Sequence, residues 1–242
     1  MIRLLNVSYS YVAGVRVLEN LSLEIPPGVT LLLGPNGSGK STILKIAAGV
    51  ESPDAGRAEV DGLDLWRAEA ESRRLLAYVP EQPDLSPYAS IREILHLVCR
   101  LRNQPLQVAE EVLRRVSLEK LASRTVRELS MGQRRRITIA AAMIATPQNV
   151  LLDEPLEQMD RQLQDDLLAW IQQLAKHKST VLIVTHELEP FVALANQVVA
   201  PVNGVMTMFA GLPSGNSECL DFLERAARGL LTVSTKPDLI GG

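Results

Sequence analysis

Within the stretch Gly34-Pro35-Asn36-Gly37-Ser38-Gly39-Lys40-Ser41-Thr42, the first eight residues fit the pattern G-x-x-x-x-G-K-[ST]. The chemistry this spacing supports is phosphate binding. Glycines permit backbone angles and close approaches that a Cβ forbids. Successive N–H groups can then curl around an anion, and the helix that follows points its partially positive end at the same charge. Lys40 would reach the β- and γ-phosphates of a nucleotide, and the Ser41 hydroxyl would ligate Mg²⁺. By chance the pattern arises in on the order of one chain in a hundred of this length. A flexible Gly/Ser loop is the bland alternative, but it does not account for the apolar run before the loop and the helical pattern after it.

Two further groups could act on that phosphate. The apolar stretch Val150-Leu151-Leu152 ends in Asp153-Glu154-Pro155. Asp153 could hold Mg²⁺, and Glu154 could orient or deprotonate an attacking water. Two adjacent carboxylates repel each other in a dry site, so a cation is expected nearby. A second apolar stretch, Val181 to Val184, runs into Thr185-His186-Glu187. At the C-terminal edge of a strand His186 could contact γ-phosphate, because the sites of open α/β sheets lie at that edge. His96 and His177 lack such a setting and read as ordinary.

These side chains need elements to hold them. Val29 to Leu33 is a continuous apolar run, as are 150–152 and 181–184, and each reads as a strand covered on both faces. Helices are expected over 41–50, 91–102, 108–121 and 161–176 from their 3.6-residue apolar spacing. Residues 2–11 and 17–25 alternate with a near period of two, and 55–65 forms a hairpin with Asp61-Gly62 at its turn. Strands alternating with helices predict an α/β fold, a mostly parallel sheet wrapped by helices. The segment 84–147 reads as a helical insertion. Residues 218–231 suggest a short amphipathic helix, and Lys236 to Gly242 a loose end.

Composition narrows the classes. The 242 residues are 46% hydrophobic and 22% charged, with a formal net charge of −3 and a pI near 5.7. Such a balance gives no global pull toward nucleic acid, which is not expected as a partner. Cys99 and Cys219 are too few for a disulfide framework or a zinc site and read as reduced, buried thiols. No run approaches the ~18 apolar residues of a membrane span. The N-terminus lacks a signal peptide's apolar core, so a cytoplasmic chain is expected.

One segment goes beyond generic nucleotide binding. Leu129-Ser130-Met131-Gly132-Gln133 resembles the L-S-G-G-Q signature of ABC ATPases, some twenty residues before Asp153-Glu154 as in that family. The continuation Arg134-Arg135-Arg136-Ile137-Thr138-Ile139-Ala140 is similar to the family's R-Q-R-[VL]-x-[IL]-A. Taken alone, those arginines would read as a solvated helix face. Further positions then match. Tyr11 resembles the aromatic that stacks on adenine, Glu81-Gln82 the Q-loop, Asp160 the D-loop aspartate and His186 the switch histidine. The register puts Glu81 at the usual Q-loop glutamine, where it could still ligate Mg²⁺. Met131, Leu156 and the Gln158-Met159 pair also depart from the family pattern.

The resemblance implies a P-loop ATPase fold with a mostly parallel core sheet, an N-terminal antiparallel β subdomain and an α-helical subdomain. Residues 1–205 would form the ATPase domain, with the helical part at 84–147, and 206–242 a C-terminal extension. It implies ATP and Mg²⁺, with Lys40, Glu154 and His186 catalytic and with Ser41, Asp153 and Glu81 toward the metal. It further implies a homodimer or paired cassette in which one subunit's signature meets the other's nucleotide. The partner would be a membrane-spanning transporter subunit, with the chain peripheral on the inner face of the cell membrane. The Glu81 pattern and the short chain favour export. A soluble ABC ATPase serving a cluster-assembly scaffold is the alternative.

Overall fold

The computed structural model describes residues 1–12 and 14–232, so the end expected to be loose, Lys236 to Gly242, lies outside the described residues. Two sheets organise the chain. The first is antiparallel and N-terminal, in the order β2-β1-β4-β5, built from β1 (Ile2–Val12), β2 (Val15–Ile25), β4 (Ala55–Val60) and β5 (Leu63–Asp64). Asp61 and Gly62 both take positive φ between β4 and β5, as a two-residue hairpin turn of the primed type requires.

The second sheet has six strands in the order β10-β9-β3-β8-β7-β6. They are β3 (Gly28–Leu32), β6 (Leu76–Val79), β7 (Asn149–Asp153), β8 (Thr180–Val184), β9 (Gln197–Val202) and β10 (Val205–Ala210). All neighbours run parallel except the β9–β10 hairpin at the edge. The apolar runs of β3, β7 and β8 feed two separate cores by alternation. Leu31, Val150, Leu152, Val181 and Ile183 face one core, whereas Leu32, Leu151, Leu182 and Val184 face the other. A strand with a core on each side has little room for polar side chains, which is why these runs are mainly apolar; the exception inside β3 is Thr30, buried with its hydroxyl donating to Gln197 Oε1 at 2.9 Å.

The helices are α1 (Lys40–Ala47), α2 (Glu69–Arg74), α3 (Ile91–Leu101), α4 (Gln107–Arg115), α5 (Met131–Met143), α6 (Arg161–Lys176) and α7 (Asn216–Ala227). Helix α1 packs with the antiparallel sheet in one core, and α3 to α7 cover the opposite face of the large sheet. The helix expected over 108–121 is shorter. Helix α4 stops at Arg115, Ser117 takes a left-handed φ of 55°, and only a 3₁₀ turn, Glu119–Leu121, follows. Apolar spacing alone could not mark that break. Three strands escaped the sequence reading. Strand β6 is only four residues long, β9 contains Pro201, and β10 lies at the edge. A proline is tolerated in β9 because the pairing with β3 ends at Val199.

Arg102, just past α3, fastens the helical segment to the sheet by donating to Ile144 O and Leu76 O, each at 2.8 Å. Cys99 and Cys219 are both free and buried, as expected.

Candidate functional site

The phosphate loop joins β3 to α1. Gly34 sits at φ 146°, and a Cβ there would lie 2.8 Å from Pro201 Cδ and 2.9 Å from Ser38 Oγ. Gly39, at φ 88°, would place a Cβ 2.9 Å from Leu18 Cδ2. The loop is therefore closed to larger residues at both hinges. Lys40 is buried and its ammonium donates to Gly34 O at 2.8 Å and Pro35 O at 3.1 Å. Burial pushes its pKa down, and Glu154 and Asp153 pull it back up. The Ser38 hydroxyl is buried inside the loop with no partner. A buried polar atom left unpaired is costly, and a phosphate oxygen would satisfy it.

Across the pocket, β7 delivers the two carboxylates. Asp153 is its last residue, and Glu154 turns the chain at φ 45°, an uncommon conformation for a residue with a side chain. The turn is held because Glu154 N donates to Val184 O at 2.9 Å. The Glu154 carboxylate accepts from His186 N at 3.0 Å, and His186 Nε2 lies 3.4 Å from its other oxygen. Burial pushes Glu154 above the usual carboxylate range, against the His186 contacts. Asp153 is only 3% exposed. Burial, then the Glu81 and Glu154 charges, pushes its carboxyl up to about 6.

Asp153 Oδ1 is also buried without a partner. A divalent cation fits this carboxylate chemistry, since it would pair the orphan oxygen and relieve the repulsion. Among the described residues no three His, Cys, Asp or Glu side chains converge enough to hold a metal by themselves. Other oxygens, those of phosphate and of the Ser41 hydroxyl, would have to complete the shell.

One open pocket of about 590 Å³ gathers Tyr11, Asn36, Gly37, Gly39, Lys40, Ser41, Thr42, Glu81, Asp153, Glu154 and His186. Tyr11 stands at its rim, half exposed, its hydroxyl 3.2 Å from Thr42 Oγ1 and its ring edge-on to Tyr9 with centroids 4.9 Å apart. Its exposed ring could stack on a base. Glu81 lines the pocket and Gln82 does not.

The signature residues and Asp160 stay outside that lining. Ser130 caps α5: its hydroxyl accepts from Gln133 N at 3.3 Å, and Gln133 Oε1 accepts from Ser130 N at 3.0 Å. This is a capping box, so Leu129-Ser130-Met131-Gly132-Gln133 form an ordered helix start with Ser130 and Met131 exposed. Asp160 caps α6 through Leu163 N at 3.1 Å and pairs with Arg136.

Val17, Glu157 and Val184 also line the pocket and were not anticipated. Nor was Arg135, which bonds the carbonyls beneath both carboxylates. Glu157 stood three positions from Glu154, but nothing in an acidic turn marks which residue faces the pocket.

A family model described as "ABC transporter" matches residues 18–157. The sulfate/thiosulfate import ATP-binding protein CysA of Synechocystis sp. is 35% identical over 77% of this chain and 54% of its own length. The spermidine/putrescine import ATP-binding protein PotA of Vibrio parahaemolyticus is 33% identical over 85% of this chain and 56% of its own. The chain thus spans about half the length of these relatives. Among solved structures, the ATP-binding subunit of an ABC transporter superposes with a TM-score of 0.79 at 25% identity, covering 87% of this chain and 90% of that one. A dimeric bacterial ABC transporter cassette gives 0.76 at 25% identity, with 87% and 98% covered.

Proposed function

This chain belongs to the ABC transporter family, and from that premise we propose that it binds and hydrolyses ATP as one half of a paired cassette, powering transport through a separate membrane-spanning subunit. One observation carries the reading. The phosphate loop, both carboxylates and His186 share a pocket, whereas the signature forms an exposed helix start outside it. A signature meant for γ-phosphate then needs a second molecule to present it.

In this mechanism Tyr11 receives the adenine, and the loop amides with Lys40 receive the phosphates. Ser41, Asp153 and Glu81 would hold Mg²⁺, which would supply charge that neutralises the triphosphate. Glu154 accepts a proton from the attacking water as the β–γ phosphoanhydride bond breaks, and its raised pKa suits that role. His186 is held against Glu154 and offers a polar contact to the γ-phosphate. ATP bridging the two halves favours closure, and hydrolysis removes the bridge.

No helix among the described residues is long and apolar enough to cross a membrane, in keeping with a partner that supplies the spans. An apolar groove of about 640 Å³ beside the Glu81 loop, lined by Tyr78, Pro80, Leu85, Ile94, Val98 and Leu101, is the proposed seat for that partner. The Glu81 pattern favoured export. The relatives above are import proteins, and import is the direction they support.

The test is Glu154→Gln. This variant should form a stable dimer when saturated with ATP and Mg²⁺, read by light scattering, and should co-purify with a multi-spanning membrane protein. A chain that stays monomeric under those conditions and in its native complex sinks the proposal.

A further inference from the structure

Arg135 is a buried cation whose partners are backbone carbonyls rather than carboxylates. It lies on α5 and is 2% exposed. One guanidinium nitrogen donates to Pro80 O and to Glu81 O, the latter at 2.5 Å. The other donates to Asp153 O at 2.6 Å and Glu154 O at 2.5 Å. A single side chain of the signature helix thus holds the backbone of the Glu81 loop on one side and of the carboxylate turn on the other. Burying a guanidinium without a contacting counter-ion costs several kcal/mol unless its donors are met and negative charge lies near. Burial lowers the pKa of Arg135, while Asp153, Glu157, Glu81 and Glu154 oppose that shift and favour its charged form; four of its donor contacts are met and only Nε is left without a partner.

Two neutral amides of the ABC pattern are missing from this chain. The R-Q-R pattern places a glutamine where Arg135 stands, and the Q-loop places one where Glu81 stands. Glu81 thereby joins Asp153, Glu154 and Glu157 as a carboxylate lining a pocket meant for a triphosphate, with Lys40 as the cation among them. A divalent cation and Lys40 would meet part of that negative charge, and a fixed cation beneath the pocket meets more of it.

We propose that Arg135 is a positioning residue for ATP hydrolysis: its planar fork fixes the Glu81 loop and the Asp153–Glu154 turn to the signature helix, and its charge offsets the carboxylate that Glu81 adds. A glutamine has two donors on one nitrogen and no charge, and a lysine has charge but no planar fork, so neither replaces it. Any shift of α5 on pairing is transmitted through this side chain to the turn that carries Glu154. The inference rests on the ATPase reading above. If the wild-type chain neither binds nor hydrolyses ATP, that reading fails; if the wild type turns over and Arg135 proves dispensable, this inference fails alone.

The experiment compares full-length wild type, R135K, R135Q, E81Q and R135Q/E81Q by steady-state ATPase kinetics, ATP calorimetry and thermal melting. R135Q should lose about tenfold or more in kcat while ATP affinity stays within about threefold, since a misplaced turn slows chemistry more than binding. Adding E81Q should recover a large part of that loss, because it removes the charge that Arg135 offsets. A merely structural role would predict no such rescue. R135K should remain about fivefold or more below wild type. Wild-type kcat in R135Q, or a double variant no faster than R135Q, overturns the proposal. Should R135Q not fold, R135K decides: reduced kcat at unchanged affinity supports it, and wild-type kcat refutes it.

Discussion

Asp153→Asn should stabilise the nucleotide-free chain while abolishing its turnover. The side chain is 3% exposed, its Oδ1 has no partner, and burial with two neighbouring carboxylates raises its pKa from 3.8 to about 6. At about 1.4 kcal/mol per decade, keeping that carboxylate ionised at pH 7 and above costs about 3 kcal/mol. Water in the open pocket reduces this, so a net gain of about 1–2 kcal/mol is expected from the amide, or about 2–8 °C in Tm for a chain of this size. The sign follows from linkage. The folded state holds its proton to higher pH than the unfolded state, so Asp153 is harmless below its ordinary value of 3.8. The associated stability is lost as pH rises through about 6. Denaturant titrations of both proteins without nucleotide, from pH 4 to 8, measure the difference. The curves should nearly coincide at pH 4, diverge between about pH 4 and about pH 6, and run parallel above that, with the amide variant the more stable. Mg²⁺ with ATP should reverse the order at pH 7.5, because only the carboxylate gains the cation. Equal stability at pH 8, or a gap that is the same at pH 4 and pH 8, refutes this account of the orphan oxygen.

Lys40→Ala should lose ATP binding by calorimetry, since the ammonium that now rests on Gly34 O and Pro35 O is the group poised to transfer to phosphate; unchanged affinity contradicts that role. Tyr11→Ala should weaken ATP binding by about 1–3 kcal/mol, the usual worth of one base–aromatic stack, whereas Tyr11→Phe should stay close to wild type because the Thr42 contact is long and half exposed. Equal losses in the two Tyr11 variants would show that the hydroxyl, not the ring, matters.

What could be read from the sequence follows from how many faces each residue answers to. Strands β3, β7 and β8 are mainly apolar because two cores claim their alternate residues, so they stand out as runs. Strand β9 faces the same cores, but Pro201 masks it until its pairing partner is known to stop at Val199. The phosphate loop was legible because its backbone geometry dictates residue types directly, at Gly34 and Gly39 above all. Arg135 was not legible. Arg134-Arg135-Arg136 looked like one basic run, yet a helix sends three successive side chains about 100° apart. Arg134 reaches Val126 O, Arg135 enters the carbonyls under the site, and Arg136 meets Val116 O and Asp160. Charge patterning gives a residue's type and leaves its direction open.

A Cβ at Gly132 would lie 3.2 Å from Gln158 O, so the start of α5 and the turn before Asp160 form one continuous surface. Asp160 is tied to α5 through Arg136 while it caps α6. Residues 130–133 and 158–160 therefore lie against each other as one surface, and Arg135 connects it to the floor of the nucleotide pocket without exposing a charge at its mouth. In the proposed pair, a second molecule docking on the exposed Ser130–Gly132 edge would press on this surface. The displacement would reach Glu154 through two guanidinium bonds rather than through the nucleotide. Hydrolysis would then depend on the partner even with ATP already seated, because the base is aligned by the helix that the partner contacts.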